Sequence, residues 1–176
     1  NAIDNKSGMD PKEQLDIIYE ITHLLNDKYN NSYKGIEAVL RTNGISSLDY
    51  KELDGNEIKY VRSYFEDAIY PVLSPQIIDP HHPFPHLKNK SIYVACLLSH
   101  KDKKIYGIVP VPENIPEYIF LPGKYFRYIH VEKIIIEFID DLFRTYQMEE
   151  KACISVTRNA DITLEDDPLS ENMDFR

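Results

Sequence analysis

Residues 70–89 read Y-P-V-L-S-P-Q-I-I-D-P-H-H-P-F-P-H-L-K-N, and this stretch separates two kinds of sequence. It holds five of the 11 prolines and three of the six histidines in the chain. Proline fixes φ, lacks an amide hydrogen and biases the residue before it towards extended structure. We therefore expect no helix in this stretch but a rigid extended path. The pattern before it is mostly helical, whereas the pattern after it predicts strands and one helix.

The sequence before this stretch begins with a long helix. Asp10-Pro11-Lys12-Glu13 combines an N-cap residue, a proline suited to the first turn and the glutamate of a capping box. Apolar residues then recur at helical spacing until Asn43-Gly44, which is a stop signal. We predict one helix over residues 11–42, roughly 48 Å long, and leave open a loosening at Asn30-Asn31 or Gly35. So long an apolar face is expected to belong partly to a neighbouring segment outside this chain.

A second amphipathic helix is predicted to begin at Asp54-Gly55-Asn56-Glu57, which repeats the capping pattern, and to end at Pro71. A third is predicted over 131–143, with a buried apolar stripe made of Val131, Ile134, Ile135, Phe138, Ile139 and Leu142. Apolar runs of strand length predict strands at 45–50, 91–99, 105–111, 117–121, 125–129 and 151–164. The strands at 91–99 and 105–111 are predicted to form a hairpin around the polar turn 101–104, whereas 117–121 and 125–129 form either a second hairpin or a strand and a turn. This order of elements predicts an α+β fold, in which a long N-terminal helix precedes an antiparallel sheet domain with helices packed on it.

The composition excludes several classes of protein. A net charge of −9 without a basic cluster disfavours nucleic-acid binding and general polyanion binding. No apolar run approaches the roughly 18 residues of a membrane span, and no secretory signal is visible. Cys96 and Cys153 lie in strand-like runs, so we expect two buried structural thiols and a reducing, cytoplasmic compartment. Residues 1–9 are interpreted as a leader that begins with the remnant of a cleaved tag.

Two polar clusters invite a functional interpretation. Asp79, His81, His82 and His86 have the side chains of metal ligands, but adjacent histidines on an extended backbone point to opposite sides. A structural loop is therefore favoured over a metal site. The stretch 157–161, T-R-N-A-D, places an arginine where a phosphate or carboxylate could bind, although a turn or an ion pair within it is the favoured alternative. Neither common nucleotide-binding glycine pattern is present, and neither cysteine has the sequence context of an activated nucleophile.

Three motifs in order resemble polyphosphate kinases of the large, histidine-phosphorylating type. They are P-V-L-S-P at 71–75 with D-P-H-H-P-F-P-H-L-K-N at 79–89, V-T-R-N-A-D at 156–161, and K-S-G-M-D-P-K-E-Q-L at 6–15. Ser74 and Asn159 stand where this family commonly has threonine and aspartate. The residues that carry the motifs, and for which we expect structural roles, are Pro71, Pro75, Asp79, His82, Pro83, Phe84, Pro85, Asn89 and Asp161.

The resemblance implies a division of the chain into domains. Residues 10–44 would be the last helix of an N-terminal helical domain, and 45–164 most of the middle, or head, domain. Residues 165–176 would be an acidic, truncated continuation of the head domain. The partners implied are the N- and C-terminal domains of the same protein, a second copy in a homo-oligomer, and polyphosphate. The location implied is the cytoplasm, with membrane association of the longer protein as an alternative.

The resemblance also implies a reaction that this chain would not perform alone. The family transfers the terminal phosphoryl group of ATP to polyphosphate reversibly, through a phosphohistidine and with Mg²⁺. None of the six histidines here matches the family's catalytic motifs, so we expect no catalytic residue, metal site or bound cofactor in this chain. Thr157, Arg158 and Asn159 are the candidates for polyphosphate contact at the family's tunnel. The alternative is a self-standing protein-interaction or regulatory module.

Overall fold

The computed structural model describes residues 8–101, 103–123 and 125–157. These residues form two compact units. The first holds residues 8–47 and 125–127, and the second holds the remaining described residues from Leu48 onward. Together they combine α-helices with antiparallel sheets, which confirms the predicted α+β class.

The first unit is dominated by helix α1, Pro11–Thr42. Asp10 caps it by accepting hydrogen bonds from the amides of Lys12 and Glu13, at 2.8 and 2.9 Å. Asn43 ends it, so the predicted bounds and caps are confirmed. The helix is continuous, so the loosening that the sequence left open at Asn30-Asn31 or Gly35 does not occur. Strand β1, Ile45–Ser47, follows at once.

The strand predicted over 45–50 is too long, because the chain turns after Ser47. Tyr50–Glu52 is a short 3₁₀ helix closed by Asp49 and Glu52 in a second capping box. Helix α2, Gly55–Tyr64, then begins at Asp54 with the predicted cap. A glutamate three residues after each cap makes both starts readable from local sequence.

Helix α2 does not end where proline was expected to end it. It continues as a π-helical turn over Phe65–Ile69 and a 3₁₀ turn over Tyr70–Val72. The expectation of no helix from residue 70 is therefore wrong for these three residues. Pro71 occupies the first turn of the short helix, where a missing amide hydrogen costs no internal hydrogen bond. The predicted extended path is confirmed at Leu73 and in strand β2, but turns at 79–82 and 89–90 interrupt it.

The larger sheet is wholly antiparallel and has the strand order β2-β4-β3-β7. Its strands are β2, Gln76–Ile78; β3, Ile92–His100; β4, Lys103–Pro110; and β7, Gln147–Ser155. The register places Cys96 of β3 opposite Gly107 on one side and Lys151 on the other. The predicted β3–β4 hairpin is thereby confirmed.

Strand β7 begins at Gln147 rather than at residue 151 and ends at Ser155, whereas the prediction continued to 164; residues 158–164 lie outside the described residues. It lies at the edge of the sheet, and most of its residues are exposed, so its polar start does not have the apolar pattern of an interior strand. Cys153 is exposed for the same reason. The expectation of a buried thiol is confirmed for Cys96 and wrong for Cys153.

The smaller sheet has the order β1-β6-β5, where β5 is Tyr118–Phe120 and β6 is Phe126–His130. Of the two alternatives left open for 117–129, the structure has the hairpin, with Ile119 opposite Ile129. Helix α3, Val131–Phe138, follows β6 directly and ends in a 3₁₀ turn, Ile139–Asp141.

The main core lies in the second unit, where helix α3 packs on the sheet. Val131, Ile134, Ile135 and Phe138 are buried, as the predicted apolar stripe required. The rings of Phe138 and Phe65 have centroids 4.8 Å apart, which joins α3 to the turn after α2. A smaller cluster is built on Leu87, Tyr93 and Ile108, with Ile78, Ile154 and Val156 packed against it. None of the described helices is long and apolar enough to cross a membrane.

Candidate functional site

The proline-rich segment is closed by a turn centred on Asp79. Its Oδ1 accepts hydrogen bonds from the amides of His81 and His82, both at 2.8 Å, and lies 3.0 Å from His82 Nδ1. The backbones of Asp79 and His82 also exchange two hydrogen bonds of 3.1 Å. Pro80 lies inside this turn and suits it because the proline ring fixes φ. The aspartate therefore determines the path of the two histidines.

The charge of Asp79 is stabilised by the same contacts. The amide of His81 is the largest cause that lowers the pKa of the Asp79 carboxyl, with further contributions from the side chain and amide of His82. Both histidines are exposed. Within the described part of the chain, no three histidine, cysteine, aspartate or glutamate side chains are grouped so that they could hold a metal ion.

The other end of the segment is fixed to the larger sheet. Leu87 is buried in the smaller apolar cluster, and the amide of Lys88 donates to the Tyr93 hydroxyl at 2.7 Å. The amide of Lys90 donates to the carbonyl of Val156 at 2.8 Å. This last hydrogen bond joins the end of the first motif to the start of the T-R-N-A-D stretch. We call Lys88, Lys90, Val156 and Thr157 the motif junction.

The motif junction contains two lysines, although the protein is acidic overall. Lys88 and Lys90 are exposed, and Thr157 is exposed where the chain leaves Val156. Lys88 forms an ion pair with Glu113, whose hydrogen bond is the main cause that raises the pKa of the lysine. Lys90 has a φ of 61°, a left-handed backbone that is uncommon for a residue with a side chain. Such outliers are often found at functional positions.

The predicted contact residues are only partly placed by the structure. Of Thr157, Arg158 and Asn159, Thr157 alone is described; Arg158, Asn159 and the motif residue Asp161 lie outside the described residues. Sequence reasoning missed Lys88 and Lys90. Lys88 is part of the quoted motif and Lys90 follows its last residue, but the link to Val156 depends on a pairing across 66 positions, the difference between 156 and 90, which no local pattern reveals.

The remaining motif residues occupy loop positions around the sheet. Asp79 and His82 form the turn, and Phe84 is 63% exposed between Pro83 and Pro85. Pro71 lies in the 3₁₀ turn, Pro75 directly precedes β2, and Asn89 lies in the turn before β3.

Neither cysteine has the environment of a nucleophile. Burial raises the pKa of the Cys96 thiol to about 12. The pKa of the Cys153 thiol is also raised, first by desolvation from the atoms packed around it and then by the carboxylate of Glu132. Both side chains therefore favour the unreactive thiol form at neutral pH.

Comparison with known proteins identifies the family. The family described as "Polyphosphate kinase middle domain" matches residues 56–174. The chain belongs to the polyphosphate kinase family. A polyphosphate kinase of Exiguobacterium sibiricum is 35% identical over 167 residues, which cover 92% of this chain and 23% of that protein. The Bacillus anthracis polyphosphate kinase is 34% identical over 176 residues, covering 95% of this chain and 25% of that protein.

The chain therefore spans about a quarter of the length of these polyphosphate kinases. A solved structure agrees in fold: the crystal structure of polyphosphate kinase from Porphyromonas gingivalis matches 87% of this chain with a TM-score of 0.70. The match covers 26% of that chain at 24% sequence identity. The family predicted from the three motifs is thereby confirmed.

Proposed function

We propose that this chain is the head region, with the last N-terminal helix, of a polyphosphate kinase that transfers the terminal phosphoryl group of ATP reversibly to polyphosphate. The phosphohistidine and the residues that bind ATP and Mg²⁺ belong, in this proposal, to other domains of the longer protein. This chain takes part in assembling the homodimer and borders the path of polyphosphate. We place the protein in the cytoplasm, and fractionation would test membrane association.

The observation that carries this proposal is the Lys90–Val156 hydrogen bond. It brings two separate sequence motifs of the family to one place on the surface. Lysine and threonine side chains there offer positive charge and a hydroxyl donor, the groups that bind phosphate oxygens. The neighbouring Arg158 adds a guanidinium fork in the chain, which matches two oxygens of a phosphate.

Because the chain is acidic overall, its contact with polyphosphate would be confined to a small part of the surface. With a net charge of −9, most of the surface would repel a polyanion, so contact requires a confined group of cations. Arg158, with Thr157 and Asn159 beside it in the sequence, is the proposed contact, and Lys90 is a described cation whose amide donates to Val156, two positions before Arg158 in the sequence. The domain bounds predicted from the sequence, 10–44 and 45–164, remain part of this proposal.

The test is an Arg158→Ala change in the full-length kinase that contains this segment. Loss of a charged hydrogen-bonding partner is expected to weaken polyphosphate binding about tenfold or more, and to shorten the product. Arg144→Ala is the matched control, since Arg144 is an exposed arginine outside the motif junction. The 176-residue chain alone is expected to take no labelled phosphate from ATP.

The opposite result has a defined meaning. If Arg158→Ala changed neither the affinity for polyphosphate nor the length of the polyphosphate product, Arg158 would have a structural role, in an ion pair or turn with Asp161. Stable labelling of any histidine in the isolated chain would contradict the assignment of catalysis to other domains.

A second candidate function, a self-standing protein-interaction module, is favoured by one observation. No residue of α1 is buried within the described structure, and its apolar side chains form an exposed face. A reading frame that stops near Arg176 would favour this candidate over the kinase domain. A frame that continues into further kinase domains would exclude it.

A further inference from the structure

Helix α2 and the chain entering β5 form an aromatic groove in the second unit, with a volume of about 660 Å³. Tyr60 and Tyr64 line one side, and Glu117, Tyr118 and Phe120 line the other. Tyr60, Tyr118 and Phe120 are 40%, 45% and 56% exposed. We call this surface the aromatic groove. Three partly exposed rings on one surface offer a place where another apolar side chain could pack.

The rings of the groove are arranged to receive another ring or a flat apolar side chain. Tyr118 and Phe120 are two residues apart in β5, so their side chains lie on the same face of the strand. Their ring centroids are 5.6 Å apart, and the ring planes meet at 84°. Tyr60 and Tyr64, one helical turn apart, have centroids 6.3 Å apart. Aromatic-lined grooves of this kind bind proline-rich extended peptides, because proline rings pack flat on aromatic faces.

A second surface of this chain has the complementary chemistry. Residues 80–87, which we call the Phe84 loop, present Phe84 at 63% exposure between two prolines. The Asp79 turn fixes one end of the loop, and burial of Leu87 fixes the other. A loop that is already rigid loses little conformational entropy when it binds, so it is a better ligand than a mobile peptide.

The charges of the two surfaces are also complementary. Glu117 is the one charged side chain that lines the aromatic groove among the described residues. Beside the Phe84 loop, Lys88 is already paired with Glu113, and His82 with Asp79. Among the described residues, Lys90 is therefore the cation next to the loop that could approach Glu117. Complementary charge of this kind orients two surfaces as they approach.

We propose that the aromatic groove of one copy of this chain binds the Phe84 loop of a second copy. The Phe84 ring sits among Tyr60, Tyr118 and Phe120, and the prolines on either side pack on the exposed ring faces. Because every copy carries both surfaces, two such contacts related by a twofold axis make a closed dimer. This inference rests on the assembly role proposed above and names the surfaces that would perform it.

The first test uses the full-length kinase containing this segment, in sedimentation equilibrium. Phe84→Ala and Phe120→Ala are each expected to raise the dimer dissociation constant at least about tenfold, as buried aromatic anchors do. Tyr106→Ala is the control, since Tyr106 is 60% exposed on β4 and lies outside both surfaces. A mixture of the two loss variants retains one intact contact per heterodimer, so it is expected to associate more tightly than either variant alone.

The second test uses a synthetic peptide, so it does not depend on whether the Phe84→Ala kinase folds. A peptide of residues 79–90 is expected to bind the full-length kinase and to dissociate the dimer, whereas the same peptide with Phe84→Ala is not. Binding to the Phe120→Ala kinase is expected to be at least about tenfold weaker.

Each other outcome overturns the inference in a distinguishable way. Wild-type association in both variants, or equal peptide binding to Phe120→Ala, would show that assembly uses a different surface, and the assembly role would stand. A monomeric wild-type kinase would remove the assembly role as well. Equal binding of unrelated proline-rich peptides would mean that the groove serves another protein and not a second copy.

Discussion

Helices α1 and α3 have the same kind of amphipathic sequence, yet their apolar faces meet different surroundings. In α3, Ile134 and Ile135 are fully buried. In α1, which has 32 residues against eight, none is buried, and Ile18 and Leu25 are 55% and 59% exposed. Helical periodicity thus identifies the face that will be buried, but it does not identify the segment that buries it.

The physical reason is the source of helix stability. Helices in proteins are stabilised mainly by packing of the apolar face rather than by intrinsic propensity. For α3, the packing partner is strand β3 and the turn after α2 in the same unit. For α1, the face remains available within the described residues, and our expectation that a neighbouring segment covers it stays a prediction.

The largest expected difference comes from truncating one apolar residue in each helix. Ile135→Ala removes a fully buried side chain and should lower the free energy of unfolding by about 2–5 kcal/mol. Leu25→Ala should change it by no more than about 0.5 kcal/mol. Urea denaturation of the chain measures both. Equal losses would mean that Leu25 is buried in solution and that the contrast between the helices is wrong.

Glycines provide a second, smaller contrast. A Cβ at Gly107 would lie 2.9 Å from Cζ of Phe143 and 3.0 Å from Cδ1 of Leu98, so Gly107→Ala should cost about 1–3 kcal/mol. At Gly35 in α1 a Cβ meets nothing within 4 Å. Gly35→Ala should therefore stabilise the helix by about 0.5–1 kcal/mol.

Thermal unfolding followed by circular dichroism distinguishes the two glycine variants. A stabilising Gly107→Ala would show that Phe143 moves away from the strand at no cost. A destabilising Gly35→Ala would indicate that a partner approaches α1 closely at this position.

Local sequence was sufficient for the elements whose determinants are local. The long helix follows from Asp10, Glu13 and a periodic apolar face, and α3 from a stripe that is buried as expected. The β3–β4 hairpin follows from two apolar runs around a short polar turn. These features depend on residues a few positions apart, which is the range over which sequence patterns are informative.

The errors share a different cause. The start of β7 and the exposure of Cys153 depend on an edge position in the sheet, which local pattern does not encode. The motif junction depends on a hydrogen bond between distant residues, Lys90 and Val156. The family motifs indicated that both segments matter, but only the fold places them together. Arg158 stays a sequence-based candidate because it lies outside the described residues.

The two helix caps offer the smallest contrast, in which the local chemistry is the same and only the burial behind it differs. Asp10 and Asp54 each accept two backbone hydrogen bonds and each belong to a capping box. Behind Asp54, however, Glu57 is buried and α2 leads to the buried Val61. Asp54→Ala should therefore lower the free energy of unfolding of the packed unit by about 1 kcal/mol.

Asp10→Ala should instead act locally, by increasing amide hydrogen exchange at Lys12 and Glu13 without moving the main unfolding transition, because the first turn of α1 has no buried residue behind it. Hydrogen exchange and urea denaturation of the same samples separate the two effects. Asparagine caps about as well as aspartate, so Asp10→Asn and Asp54→Asn serve as controls that keep the cap. If Asp10→Ala shifted the main transition as far as Asp54→Ala, the start of α1 would be coupled to a packed core, and the contrast between the two helices would have to be abandoned at that end.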